Sequence, residues 1–290
     1  MHTSRSNIIL ILSILITLSL ACTLTGSEAA PVQVSEDAIA TSVAATLAAG
    51  AEDTPPTLAV DPTITASPPE PDIVFQGTSF TFGPSLADSV NAENMSEDSE
   101  GSEMWAIPDH IQFTFNNFNP GDAFHNPAIR IFSVEKYRAV NPNVGDSLDK
   151  LKAAVDSQNV HSEDILVPEF TGAAQFFKSL VQVVNFQNGS GFRYISQYGQ
   201  AAWPIGFPNM FYAFQGFTDD GNYYISAIFP ISHSSLPHPD DVVMNDAFYD
   251  NFMNYSADTQ MHLDLQDAET FEPSLTLLDE LVESLLVESP

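Results

Sequence analysis

The fold is decided by four strand-like runs, Leu180-Val-Gln-Val-Val-Asn-Phe186, Phe192-Arg-Tyr-Ile-Ser-Gln-Tyr198, Met210-Phe-Tyr-Ala-Phe-Gln-Gly-Phe217 and Asn222-Tyr-Tyr-Ile-Ser-Ala-Ile-Phe229. The first two are separated by a segment containing Asn188-Gly189, and the last two by Thr218-Asp-Asp-Gly221. Asn-Gly and Asp-Gly pairs between such runs are typical of β-hairpins, because these residues tolerate the backbone of a tight turn. The sequence therefore predicts a meander of at least four antiparallel strands.

Further elements surround this meander. Ile111-Gln-Phe-Thr-Phe-Asn-Asn-Phe118 alternates with period two, which places Ile111, Phe113 and Phe115 on one face of a strand, and Ala128-Ile-Arg-Ile-Phe132 is a shorter strand candidate. Helices are predicted at 84–90, 146–156, 241–265 and 273–286 from apolar spacing and from proline or aspartate near their starts. Strands in runs with helices apart from them predict an α+β fold, an antiparallel meander sheet covered by helices.

The charge of the chain excludes several classes of partner. The 290 residues include 38 acidic and 8 basic side chains, a formal net charge of -30. Nucleic-acid binding and a polybasic contact with anionic lipid both need clustered Lys and Arg, so neither is predicted. The hydrophobic content of 44% is nevertheless large enough to supply a core.

The N-terminus has the pattern of a secretion signal that ends at a cysteine. Arg5 precedes an apolar run of 14 residues, from Ile8 to Ala21, which is short for a membrane-spanning helix. The run ends in Ser19-Leu20-Ala21-Cys22, and Cys22 is the only cysteine of the chain. This segment resembles the lipobox of bacterial lipoproteins, and the resemblance implies that residues 1–21 are removed and that Cys22 is lipidated. Ordinary signal cleavage and an uncleaved anchor are the alternatives.

The residues after Cys22 are typical of a tether. Residues 23–72 contain seven of the 20 prolines and no aromatic residue, so they cannot bury enough apolar surface to offset chain ordering. We therefore expect a lipidated, disordered segment over 22–72 and a single α+β globular domain over 73–290. With one cysteine in the chain, no internal disulfide is possible, and core burial alone must stabilise that domain.

A family resemblance extends over about half of the chain. The segments from Asn188 to Tyr198, from Phe211 to Pro230 and from Ser232 to Pro237 look like parts of uncharacterised bacterial lipoproteins, which also join a Thr/Pro/Ala-rich tether to one α+β domain. The resemblance implies an architecture and a compartment, the extracytoplasmic face of the cell envelope with a lipid anchor in the membrane. It implies no activity.

One group of residues is a candidate metal site. His233, His238, Asp240 and Asp241 lie close together in Ser-His-Ser-Ser-Leu-Pro-His-Pro-Asp-Asp. Imidazole and carboxylate groups can share a divalent metal if a loop folds them onto one centre. The alternative is structural: Asp240 is an ordinary helix N-cap with Asp241 in the first turn, and His233 hydrogen-bonds within its own turn.

An apolar loop is the candidate ligand-binding segment. Trp203-Pro-Ile-Gly-Phe-Pro-Asn-Met-Phe211 joins two predicted strands, and its Trp203 and Phe207 are candidates for lining a ligand cleft or a protein-contact patch. The alternative is that both side chains cover the end of the core.

The sequence contains no catalytic motif. It has no P-loop, no G-x-G-x-x-G and no H-E-x-x-H, and Gly189-Ser190-Gly191 lacks the spacing of a nucleophile elbow. We therefore expect a binding or interaction module for an envelope protein or a small ligand, with no cofactor. The alternatives are an extracytoplasmic metal-dependent or hydrolytic enzyme of unfamiliar type and an assembly factor of an envelope complex.

Overall fold

A computed structural model describes residues 70–99, 105–170 and 172–288, all of which belong to one compact unit, Ser67–Pro290. The predicted signal peptide, Cys22 and residues 22–69 of the predicted tether lie outside the described residues. The strands are β1 (Ile73–Phe75), β2 (Thr78–Phe80), β3 (Ser89–Met95), β4 (His110–Asn116), β5 (Ala128–Ser133), β6 (Ala174–Phe186), β7 (Gly189–Gly199), β8 (Phe211–Thr218), β9 (Tyr223–Pro230), β10 (Ser232–His233), β11 (Phe271–Glu272) and β12 (Leu286–Val287). The helices are α1 (Val134–Val140), α2 (Pro142–Asp156), α3 (Asp246–Asp250), α4 (Phe252–Leu263) and α5 (Leu275–Glu283).

A seven-stranded antiparallel sheet with the order β3-β4-β5-β9-β8-β7-β6 forms the centre of the fold. Strands β6 to β9 follow one another in the sheet as they do in the chain, so the predicted meander is confirmed. The predicted α+β class is confirmed as well, because helices accompany the antiparallel sheet.

The centre of the sheet is buried on both faces, as alternation along β8 illustrates. Tyr212 and Phe214 belong to the core cluster that includes Leu263 of α4 and the buried leucines of α5. Phe211, Ala213 and Phe217 belong to the second cluster, formed with α1 and α2. Period-two alternation with both faces apolar therefore produces two cores, one on each side of a single sheet.

The hairpin turns differ in how closely they match the sequence prediction. Gly221 has φ +70°, the left-handed conformation that its Asp-Gly turn predicts. In the other hairpin the turn residues are Gln187 and Asn188, because Phe186 already pairs with Gly189. Gly189 instead serves packing: a Cβ there would lie 2.2 Å from Cζ of Phe186.

Two helix predictions are wrong, and one helix is confirmed in longer form. Residues 84–86 form a turn, and β3 begins at Ser89 because seven residues pair with β4, which outweighs the local helical pattern. The predicted helix over 241–265 is divided into a 3₁₀ turn (Pro239–Asp241), α3 and α4. The Asn245 side chain caps α3, and Asn251 interrupts the helix before α4. The helix predicted at 146–156 is confirmed as α2, which starts earlier because Asn141 caps it and Pro142 opens it.

A buried ion pair joins the sheet to α5. Asp279 of α5 accepts hydrogen bonds from Nε of Arg193 at 3.0 Å and from Nη2 of Arg193 at 3.0 Å. The Tyr212 hydroxyl and the Gln182 amide also donate to this carboxylate, each at 3.0 Å. Side-chain exposure is 6% for Arg193 and 13% for Asp279, so four donors saturate a carboxylate that water barely reaches.

The edge strand β6 contains a bulge that other elements cover. Its pairing with β7 shifts register between Ser179 and Gln182, and Leu180 has φ +52°. Asp264 beyond α4 accepts from Leu180 N at 2.9 Å, while Arg193 donates to Leu180 O at 2.6 Å. Both backbone groups of Leu180 are therefore hydrogen-bonded to side chains.

None of the helices in the part of the chain that the structure describes has the length and apolar character needed to cross a membrane.

Candidate ligand-binding cleft

An open cleft of about 720 Å³ lies at one end of the sheet, and aromatic rings form a large part of its lining. We call it the aromatic cleft and define it by Trp105, Phe124, His125, Glu169, Phe170, Tyr198 and Trp203. A volume of this size is within the range of small-molecule sites.

Four connections and the end of strand β7 supply these residues. Trp105 precedes β4, Phe124 and His125 lie between β4 and β5, and Glu169 and Phe170 lie between α2 and β6. Tyr198 is near the end of β7, and Trp203 is in the connection to β8. The starts of β5, β6 and β8 and the end of β7 lie at the same end of the antiparallel sheet. Trp105 joins them from the β3–β4 connection, which leaves the sheet at the opposite end.

The Trp203 loop is held in place by buried polar contacts. Gln197 is fully buried; its Nε2 donates to Pro204 O at 2.9 Å, and its Oε1 accepts from Gly206 N at 3.1 Å. Tyr255 accepts from Ile205 N through its hydroxyl at 2.8 Å. Because the loop backbone is fixed from two sides, Trp203 is presented at the cleft by an ordered segment.

The two tryptophans remain accessible while the other rings contact one another. Exposure is 52% for Trp105 and 50% for Trp203. The His125 ring stacks on Phe170 at 5.4 Å between centroids, and Phe170 meets Tyr198 edge-on at 5.1 Å. Rings that pack against one another thus form one part of the cleft. Both tryptophans of the chain also line it, and about half of each side chain remains exposed to solvent.

Two buried polar atoms of the cleft have no hydrogen-bond partner among the described residues, Nε2 of His125 and Oε1 of Glu169. The other carboxylate oxygen, Oε2, lies 2.9 Å from the Tyr224 hydroxyl. That hydroxyl also contacts Oε1 of Gln215, and it has one proton to donate. Glu169 therefore receives at most one hydrogen bond from the side chains around it, which is unusual for a buried carboxylate oxygen.

The cleft is electrostatically simple. Burial, followed by the positive charge of Arg130, lowers the pKa of His125 to about 4. The imidazole is therefore neutral at pH 7. No Lys or Arg is among the described residues that line the cleft, so Glu169 is its one formal charge.

The structure separates the two residues predicted to line a ligand cleft. Trp203 lines the aromatic cleft, whereas Phe207 lines a second depression of about 580 Å³ with His233 and His238. We call this second depression the histidine cleft. Gly206, with φ +146°, lies between the two apolar side chains, and the chain direction changes there.

In the histidine cleft, both imidazole nitrogens of His233 are hydrogen-bonded to hydroxyl groups. His233 Nδ1 lies 2.7 Å from the Ser235 hydroxyl, and its Nε2 lies 3.0 Å from the Thr270 hydroxyl. The Ser235 hydroxyl also lies 2.6 Å from Nε2 of His262. Burial, followed by the charge of His262, lowers the pKa of His233. These bonds join the loop after β10 to α4 and to the 3₁₀ turn Ala268–Thr270.

The four predicted metal ligands form one pair in the structure. His238 Nδ1 lies 3.6 Å from Asp240 Oδ2, and both side chains are exposed. His238 also accepts from Asp240 N at 3.3 Å, so His238 rather than Asp240 caps the 3₁₀ turn that contains Asp241. Within 70–99, 105–170 and 172–288 no three His, Cys, Asp or Glu side chains are arranged to hold a metal ion.

Sequence reasoning missed most of the aromatic cleft. Trp105, His125, Glu169 and Tyr198 belong to no motif, and they are brought together only by the connections of the folded sheet. One usable signal was available: the chain has 2 tryptophans, and both lie outside the predicted strands in segments with a nearby proline. Large aromatic residues in loops are frequent at binding sites.

Comparison of the chain with protein-family models, with curated proteins and with solved structures found no match. The geometry of the two clefts is therefore the basis of the functional interpretation.

Proposed function

We propose that the chain is an extracytoplasmic lipoprotein, anchored in a membrane through Cys22, whose globular domain binds a small organic ligand in the aromatic cleft. One observation carries the binding role: both tryptophans of the chain line this cleft, and each stays half exposed. Exposed tryptophans that line a concave surface are costly to hydrate unless something covers them, and such groups dominate binding energies.

The arrangement of the cleft favours binding over catalysis. Its unpartnered polar groups, Nε2 of His125 and Oε1 of Glu169, can give a ligand orientation and specificity. No nucleophilic Ser, Thr, Cys or Lys is among its described lining residues. A preformed aromatic site with two polar contacts is therefore consistent with reversible recognition of a small molecule.

Intrinsic fluorescence is a direct assay of this proposal, because both tryptophans of the chain line the cleft. We expect at least one of three probes, choline, triacetylchitotriose or laurate, to change the tryptophan emission in a saturable way. Trp203→Ala should weaken the binding of that probe about tenfold or more, since losing a central aromatic contact costs about 2 kcal/mol or more.

The matched control is Tyr249→Ala. Tyr249 is also 50% exposed, but it lies on α3, away from the lining of the aromatic cleft. Its replacement should leave the affinity within about twofold, because surface substitutions outside a site have small effects. The absence of a saturable signal with all three probes, or equal effects of the two variants, would contradict the binding role.

The anchor requires its own test. The unaltered chain should partition into the detergent phase of a Triton X-114 separation and should carry lipid mass at Cys22. Cys22→Ser should move it to the aqueous phase, because the acyl chains supply the apolar surface that holds it. Thr23→Ser keeps the cysteine and should partition like the unaltered chain. Absence of lipid mass together with unchanged partitioning of Cys22→Ser would refute the anchor.

A further inference from the structure

We infer that the ligand of the aromatic cleft is an organic ammonium ion, held by aromatic faces and by the Glu169 carboxylate. This inference rests on the proposed function and specifies the chemical class of the ligand. The sources of such an ion are quaternary ammonium compounds and protonated amines, which share a positive nitrogen surrounded by carbon.

The aromatic rings supply the first part of the argument. Trp105, Phe124, Phe170, Tyr198 and Trp203 line one cleft, and the faces of such rings carry the negative part of their quadrupole. A cation over a ring is attracted to it, tryptophan being the strongest partner, and sets of aromatic rings are the usual protein site for quaternary ammonium groups. Five rings in one cleft therefore favour a cation with apolar substituents.

Glu169 supplies the second part. Its Oε1 is buried and has no hydrogen-bond partner among the described residues. Its Oε2 lies next to the Tyr224 hydroxyl, whose single proton can go to Glu169 or to Gln215. A buried carboxylate oxygen that lacks a donor loses hydration without replacement. A bound cation restores that interaction, and an N–H group can donate to Oε1 directly.

The charge of the described lining is the third part. The described lining residues include no Lys or Arg. Arg130 lies outside this lining, although its charge helps to lower the pKa of His125, and its Nε donates to Gln112 Oε1 at 2.9 Å. His125 is neutral at pH 7, so it does not repel a positive ligand. The whole chain carries a formal charge of -30, a field that attracts small cations and repels anions.

The test compares charged probes with a neutral molecule of the same shape on the full, unaltered chain. Choline and ethanolamine are titrated against tryptophan emission, with 3,3-dimethyl-1-butanol as the neutral isostere of choline and sodium chloride matching the ionic strength. We expect choline or ethanolamine to bind at least tenfold more tightly than the neutral isostere. Tighter binding of ethanolamine would indicate N–H donation to Oε1, and tighter binding of choline would indicate dominance of the rings.

Glu169→Gln isolates the carboxylate, because it keeps an oxygen for the Tyr224 hydroxyl and removes the charge. It should weaken the binding of the charged probe at least tenfold and leave the binding of the neutral isostere within twofold. Glu163→Gln removes the same charge from an exposed position of the same connection and should change neither affinity by more than twofold. A loss of folding would affect both probes alike, so the ratio of the two affinities separates structure from recognition.

The failures of the two proposals are distinguishable. If triacetylchitotriose or laurate saturates the signal while both ammonium probes do not, the ammonium inference is wrong and the binding role stands. Equal binding of choline and its neutral isostere also overturns the inference. If Glu169→Gln does not fold, the comparison of probes on the unaltered chain still decides it.

Discussion

Replacement of Asp279 by alanine is expected to lower the free energy of unfolding by about 3–5 kcal/mol. Asp279 is the carboxylate on α5 that accepts from Arg193, Tyr212 and Gln182. Its removal leaves the Arg193 guanidinium buried without a counter-charge and the Tyr212 hydroxyl, fully buried, without its acceptor. The cost comes from these stranded groups rather than from the lost attraction, because a buried unpaired charge cannot recover its hydration.

Asp149→Ala provides the matched control for this experiment. Asp149 also forms two hydrogen bonds with one arginine, Arg138, both at 2.6 Å, but side-chain exposure is 56% for Asp149 and 47% for Arg138. Water and salt screen this pair, so its loss should cost about 1 kcal/mol or less. Urea unfolding of the full chain, followed by circular dichroism, measures both values. If both variants lost a similar amount of unfolding free energy, burial would not explain how much the Arg193–Asp279 pair contributes to stability.

Replacement of Gly191 by alanine is expected to destabilise the domain by about 3 kcal/mol, near the upper end of overpacking effects. Gly191 pairs with Gly216 across β7 and β8, and the Phe214 ring lies beside both glycines. A Cβ on Gly191 would lie 2.4 Å from Gln215 O, 2.5 Å from Gly216 Cα and 2.7 Å from Phe214 Cζ. Two of these three atoms belong to the backbone of a central strand, so a change of rotamer cannot make room.

Gly121→Ala is the control for this substitution. It introduces the same methyl group where, apart from its chain neighbours, no atom of the described residues lies within 4 Å, and it should shift the free energy of unfolding by about 0.5 kcal/mol or less. The two variants are compared by the urea concentration at the midpoint of unfolding, provided that the dependence of the unfolding free energy on urea concentration is the same for both. If Gly191→Ala were as stable as Gly121→Ala, the close packing of Phe214 against the paired glycines would not limit the sequence at this position.

Local patterns in the sequence predicted the parts of the fold that depend on neighbouring residues. Alternation with period two and turn residues placed the meander, because each hairpin is formed by segments adjacent in the chain. The amphipathic spacing of Leu275, Leu278 and Leu281 predicted α5, and all three leucines are buried. These features needed no information about distant partners.

The errors occurred where distant contacts outweigh local preference. The segment before β3 has a helical start, yet pairing with β4 makes Ser89–Met95 a strand. Trp203 and Phe207 are neighbours in one predicted ligand-binding loop, yet the fold places them in different depressions, which the sequence does not reveal. Trp105, His125 and Glu169 meet only after three separate connections converge, and no spacing in the sequence encodes that convergence.

The bulge of β6 has a consequence for crowded surroundings. An edge strand with free N–H and C=O groups is a template onto which a strand of another molecule can add, and that addition starts aggregation. At Leu180 the bulge interrupts the regular pairing of the strand. Its N–H group is already hydrogen-bonded to Asp264, and its C=O group to Arg193. A second copy of the chain therefore meets an interrupted ladder at this edge. Many copies can be concentrated side by side without continuing one another's sheet through the middle of β6.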